Sequence, residues 1–155
     1  MQQEKFSLKK FLFYVVVTQL IGFIGGMLGG DASAVYAPLV KPPLSPPALT
    51  FPIVWGILYL ILGIAAYMID REGDNVGSLR FYWVQIVLNA LWSLFFFRLK
   101  WFTFAAIWIV LLILLTARLF LQFNKIKKCA ALLLIPYLLW LFFALYLNIG
   151  FAMLN

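Results

Sequence analysis

The chain has no histidine and a single cysteine, Cys129, among its 155 residues. The first absence removes the commonest general base, metal ligand and haem ligand. The second excludes an internal disulfide. Acids are scarce as well: Asp31, Asp70, Glu72 and Asp74 fall in expected loops or at helix ends, and Glu4 falls in the N-terminal tail. No paired carboxylates occupy an apolar segment, and no nucleophile has a histidine to activate it. A Gly-rich phosphate loop after a strand is missing, and so is any cluster with metal-ligand spacing. Hydrolase, kinase and metalloenzyme chemistry of the usual kinds is therefore disfavoured.

Charge is also missing from long stretches. Residues 11–30, 42–69, 81–97, 101–117 and 129–155 carry none. Each run can cross hydrocarbon about 30 Å thick, which needs ~20 helical residues and at least ~17. With 66% apolar residues and a mean hydropathy of +1.04, the chain holds more apolar surface than a soluble domain of this size can hide. The expectation is an all-α membrane protein, a single domain over 1–155 built as a five-transmembrane-helix bundle. Its helices fall at about 8–29, 50–70, 79–98, 101–123 and 128–152, with a proline-rich loop at about 30–49. The first run follows Lys5, Lys9 and Lys10 as a signal peptide would, but without a small-residue cleavage site and a polar mature sequence after it, so it is read as a retained helix.

The net charge of +7 follows topology and does not call for nucleic acid as a partner. Lys5, Lys9, Lys10, Arg71, Arg80, Arg118, Lys125, Lys127 and Lys128 fall on one side of the bundle; Lys41, Arg98 and Lys100 fall on the other. The positive-inside rule places the N-terminus in the cytoplasm and the C-terminus outside. The expected location is the cell membrane of a bacterium.

Within the runs, three features stand out. Pro38, Pro42, Pro43, Pro46 and Pro47 make the first loop stiff and keep Lys41–Pro47 out of a helix, giving either a rigid connector or a lid. Gly22, Gly26 and Gly30, with Gly25 and Gly29 alongside, leave one face of helix 1 smooth for a helix of the same chain or of a second copy. Pro136, well inside the last run, removes a helical hydrogen bond and predicts a bend.

Polar and aromatic residues at depth supply candidate chemistry. Gln85, Asn89 and Ser93 recur every four residues, a stripe that either links helices or lines a cavity, but does not face lipid. Trp83 and Trp101 sit near helix ends, where indoles form an interfacial belt. Trp55, Trp92 and Trp140 lie deeper, each with a neighbour one turn away (Tyr59, Asn89 and Ala144), and either pack the bundle or line a pocket for a flat ligand.

Taken in order, Lys41-Pro42, Pro46-Pro47, Val54-Trp55, Leu58-Tyr59, Gln85, Leu88-Asn89, Trp92, Pro136-Tyr137-Leu138, Trp140, Ala144 and Leu147-Asn148 resemble the translocator protein family, also called TspO or tryptophan-rich sensory protein. The resemblance implies a dimer with a cavity opening toward the first loop. It also implies binding of porphyrins such as protoporphyrin IX and haem, and of isoquinoline carboxamide or benzodiazepine-type drugs. No covalent cofactor is implied. Trp55 and Trp140 match tryptophans tied to porphyrin binding and to its light-dependent degradation, and would be catalytic residues only if that degradation is the function. Tyr36, Tyr59, Asn89, Trp92, Ser93 and Ala144 match cavity positions, and Pro46 matches a lid position. Val35 and Leu44 stand where the family has tryptophan, and Trp108 stands where many members carry an aspartate. No Lys or Arg follows Leu147, so the family's cholesterol motif is incomplete and sterol transport is not implied. A carrier of lipophilic molecules and a scaffold for a membrane partner are the other functions such a bundle permits.

Overall fold

Ser7 opens the first crossing by accepting a hydrogen bond from the Lys10 amide at 3.4 Å, and α1 runs Leu8–Gly29 until Gly30, at φ 77°, ends it. The computed structural model describes residues 5–155; Glu4 lies outside the described residues. The remaining helices are α2 (Ala32–Tyr36), α3 (Thr50–Asp70), α4 (Val76–Ser93), α5 (Phe102–Ile126), α6 (Lys128–Leu132) and α7 (Ile135–Leu154), with a π-helical turn at Leu94–Arg98 after α4. Among the described residues these make five crossings long and apolar enough for a bilayer, and no strand. The expected all-α bundle is the observed one.

Two boundaries carry physical content. Arg118 lies well inside α5, beyond the charge-free run, with its guanidinium 5.0 Å from the Phe81 ring centroid. Its long stem lets the helix continue past a charge. The last crossing is not bent but broken: α6 stops at Leu132, a turn follows, and Pro136 is the second residue of α7. There its missing amide costs nothing, because the first turn of a helix has no internal acceptor to lose.

Helix α1 packs on α3 and α4, α4 on α5, α5 on α7, and α7 meets α3 to close the ring. The polar residues point inward. Thr18, Gln85, Asn89, Thr116 and Asn148 are buried, whereas Phe23, Ile107, Leu114 and Leu139 are exposed on the outside. That inversion is what lipid selects, since an unpaired polar group in hydrocarbon costs several kcal/mol. Gln85 Nε2 donates to Thr116 Oγ1 on α5 at 3.0 Å and to the Tyr137 hydroxyl on α7. Thr18 Oγ1 and the Tyr82 hydroxyl share a bond of 2.7 Å across α1 and α4.

The smooth face of α1 is spent mainly inside the chain. A Cβ on Gly25 would stand 2.8 Å from the Ala90 carbonyl oxygen of α4, and one on Gly22 would stand 2.4 Å from the Tyr59 ring of α3. A Cβ on Gly26 would meet no atom within 4 Å.

The proline loop closes over one end of this ring. Lys41–Pro47 contains no helix, as its prolines require. The loop is fastened to α7 at three points. Asn155 Oδ1 accepts from the Val40 amide at 2.9 Å while its Nδ2 donates to the Val40 carbonyl at 3.0 Å. The Tyr146 hydroxyl donates to the Pro43 carbonyl at 2.7 Å. The Pro42 ring fills a notch over Gly150, where a Cβ would approach it to 2.5 Å. Leu44, at the tip, has φ 63° and is 82% exposed. At the opposite end Lys10 pairs with Asp70 at 3.2 Å and Lys127 pairs with Glu72.

Candidate functional site

The half of the bundle nearer the proline loop holds a cleft of about 500 Å³ between α1 and α3, with α4 as its back wall. Open glycines create it. Gly26 and Gly56, where an added Cβ would meet nothing within 4 Å, leave a space that larger side chains would fill. Trp55 and Tyr59 enter from α3, Asn89, Trp92 and Ser93 from α4, and Gln19 from α1 forms a floor by donating Nε2 to the Gly56 carbonyl at 2.8 Å. Phe23 and Met27 at the mouth are exposed on the bilayer side of α1. The cleft therefore opens sideways toward lipid as well as upward, where Gly30 and Ala32 begin the loop.

The polar stripe of α4 divides its duties. Gln85 joins helices and lies below the cleft; Ser93 lines it; Asn89 does both. Asn89 is 2% exposed, and its Nδ2 donates to the Tyr59 hydroxyl at 2.9 Å while its Oδ1 has no partner. Tyr59 can act as donor or acceptor, so turning the amide over merely exchanges the free end. Either way one strong hydrogen-bonding atom of Asn89 is unsatisfied at the wall of a cavity.

Five of the expected ligand residues thus surround the cleft: Trp55, Tyr59, Asn89, Trp92 and Ser93. Trp140 and Ala144 do not. They lie behind Trp55 and Trp92, around a gap of about 10 Å³ closed by Phe51, Phe96, Leu147 and Phe151. That space is at most water-sized. Asn148 Oδ1 accepts from Trp92 Nε1 at 3.1 Å and fixes that indole, whereas Trp140 Nε1 is buried without an acceptor. Trp55 meets Trp140 edge-on, with centroids 6.4 Å apart.

Tyr36 and Pro46 line neither space. They hold the proline loop together, the Tyr36 hydroxyl donating to the Pro46 carbonyl at 2.7 Å, with the Tyr36 ring on Phe51 and Phe151 and the Lys41 ammonium 5.0 Å from its centroid. Burial pushes the Tyr36 phenol above its ordinary pKa, which keeps it a donor. Trp101 is exposed at the start of α5, as a belt residue would be, but Trp83 stacks on Tyr14 at 5.8 Å and joins α1 to α4. Trp108 serves a similar end, donating to the Leu88 carbonyl at 2.8 Å. Gln19 and Phe97 were not legible as site residues. Gln19 carries the only amide within the first charge-free run, a signal that could have marked it.

Five apolar crossings around an aromatic-walled cleft define a multi-pass integral membrane protein with an internal cavity of ligand size. Comparison with known proteins makes the class specific. The chain belongs to the TspO/MBR family, whose profile matches residues 14–154. It is 38% identical over 141 residues to the tryptophan-rich protein TspO of Chlorobaculum tepidum, covering 87% of this chain and 89% of that one. It is 34% identical over 139 residues to the translocator protein of Bos taurus, with coverage of 83% and 82%. With the tryptophan-rich sensory protein of Cereibacter sphaeroides it shares 32% over 120 residues, 77% and 76% of the two chains.

Proposed function

We propose that this chain is a membrane receptor or scavenger of porphyrins, which enter the cleft and stack against Trp55 and Trp92. The observation that carries this is an aromatic-walled cavity of about 500 Å³ with an unsatisfied amide atom of Asn89 at its wall. A large flat macrocycle needs ring faces to stack on and a small number of polar contacts to orient it. Its propionates need cations near the mouth, and Lys41, Arg98 and Lys100 are exposed at the lid end. Isoquinoline carboxamide and benzodiazepine-type drugs fit the same chemistry. The nine basic residues grouped at the other end support a cytoplasmic N-terminus and an outer lid. A homodimer is part of the proposal, with Leu12, Val16, Leu20 and Ile24, exposed on α1 and outside the cleft lining, available to a second copy.

Quenching of tryptophan fluorescence by protoporphyrin IX, titrated into protein in nanodiscs, tests this directly. Saturable binding that weakens in Trp55→Phe is the expected result, and no saturable binding by the wild type would refute it. The edge-on pair Trp55 and Trp140 favours a second reading, light-dependent degradation of the bound porphyrin with these indoles as the redox-active residues. Many porphyrin molecules degraded per protein under illumination would support an enzymatic role, whereas a single event per protein would mean damage by a bound sensitiser. A carrier role predicts ligand flux in proteoliposomes that is lost when the cleft is filled by Gly26→Leu.

A further inference from the structure

Arg118 is a charge on a surface that is otherwise apolar. It is exposed, and it continues an outward stripe of α5 that includes Leu111 and Leu114. Lys125 follows it by two turns, so Arg118 is rooted about 10 Å deeper in the bilayer than the cations at the end of the helix. A guanidinium facing lipid at that depth is costly and calls for a partner. The described residues supply no acid, since the ion pairs at this end join Lys10 to Asp70 and Lys127 to Glu72. The Phe81 ring, 5.0 Å away, orients the guanidinium against α4 but leaves its N–H fork without an acceptor.

The seam between α4 and α5 is open beside it. The two helices run antiparallel, Phe81 meeting Arg118 and, farther in, Gln85 donating to Thr116. One turn the other way, this register brings Gly77 level with Gln122. An added Cβ on Gly77 would meet nothing within 4 Å. Gln122 Oε1 is buried without a partner, and an amide turned end for end offers an N–H at the same place. Arg80 adjoins Phe81 in the chain, is exposed, and has no acid partner among the described residues either. Two guanidiniums therefore flank one notch, and Val84, Val87, Leu111 and Leu114 present apolar surface to the bilayer on its deeper side.

We propose that the α4–α5 seam binds an anionic phospholipid, its phosphate held by Arg118 and Arg80 and its acyl chains laid along Val84, Val87, Leu111 and Leu114. Charge selects the phosphate, which a planar guanidinium grips through paired hydrogen bonds. Depth selects a lipid, because a dissolved phosphate would have to leave water to reach the seam, whereas a lipid phosphate already lies at the level to which the arginine stems extend. The site is separate from the cleft and does not depend on what fills it.

Native mass spectrometry of the full chain in detergent, titrated with phosphatidylglycerol and phosphatidylcholine of identical acyl chains, tests this. The wild type should prefer phosphatidylglycerol by about tenfold or more, the worth of a hydrogen bond to a charged group. Arg118→Gln and Arg80→Gln should each bring that ratio toward one, while Lys128→Gln, which removes an exposed cation outside the seam, keeps it. Gly77→Leu fills the notch without altering charge and should also lower it. The preference is a ratio, so it does not depend on how much of a variant folds. Equal losses in Arg118→Gln and Lys128→Gln would mean diffuse attraction to a basic surface and would overturn the site, as would equal binding of the two lipids by the wild type. Displacement of the lipid by inorganic phosphate would overturn its assignment to a lipid.

Discussion

Neighbouring glycines of α1 should respond in opposite ways to the same methyl group. A Cβ on Gly25 would lie 2.8 Å from the Ala90 carbonyl oxygen and 2.9 Å from the Ala90 Cα, both backbone atoms of α4 that no rotamer change can move. Ordinary carbon contacts are about 3.5–4.0 Å, so α1 and α4 must separate by roughly 1 Å or distort. Overpacking of this kind costs about 1–3 kcal/mol. At Gly26 the same Cβ meets nothing within 4 Å. Both substitutions gain the helix propensity of Ala over Gly, about 0.8–1.0 kcal/mol. The gain is common to the pair, so the difference between Gly25→Ala and Gly26→Ala isolates the steric term at about 1–3 kcal/mol. For a chain of this length that corresponds to roughly 2–12 °C in midpoint. Thermal unfolding of the two variants in one detergent, followed by circular dichroism, measures it. Gly26→Ala should match or exceed the wild type, and Gly25→Ala should fall below Gly26→Ala by that interval. Equal midpoints, or a larger loss at Gly26, would mean that α1 does not dock on α4 through Gly25.

Gln85→Leu leaves the Thr116 and Tyr137 hydroxyls without their amide donor in the bundle centre, so it should lower stability toward denaturing detergent by about 0.6–2 kcal/mol for each bond lost. An unchanged unfolding midpoint would show that the pair contributes nothing. Gly150→Val should lift the Pro42 ring from its notch and loosen the lid. The Val40 amide, which donates to Asn155, should then exchange with deuterium faster, and wild-type exchange would place the anchor elsewhere. Because the chain has no histidine to ligate iron in the usual way, protoporphyrin IX should bind about as tightly as haem, which competitive titration can measure; a strong requirement for iron would contradict recognition through the macrocycle face.

How far each feature could be read in advance depended on the range of the forces behind it. The membrane location and the five crossings follow from local content alone, since bilayer thickness converts uncharged length into a span. The inward stripe of α4 is nearly as local, because a period of four places Gln85, Asn89 and Ser93 on one face and hydrocarbon repels that face. Pro136 shows the limit of such arguments. A proline must interrupt the hydrogen-bond ladder, but whether the helix bends or restarts depends on the packing around the break, and here α6 ends and α7 begins anew.

The division of labour among the aromatic residues lay beyond the sequence. Depth marked Trp55, Trp92 and Trp140 equally, and family resemblance matched Trp55 and Trp140 to the same task. In the folded chain Trp55 faces the open cleft and Trp140 a nearly closed gap behind it, because Gly26 and Gly56 leave the cleft unfilled while Phe51, Phe96, Leu147 and Phe151 fill the space around Trp140. Likewise, spacing identified the glycines, but only the docking of α1 on α4 decided that Gly25 forms a contact and Gly26 an opening. The sequence by itself determined what lies in lipid and which faces turn inward, since solvent selects residues one at a time. Which inward residues meet a ligand was decided by the tertiary structure, because a cavity exists only where several helices together fail to fill space.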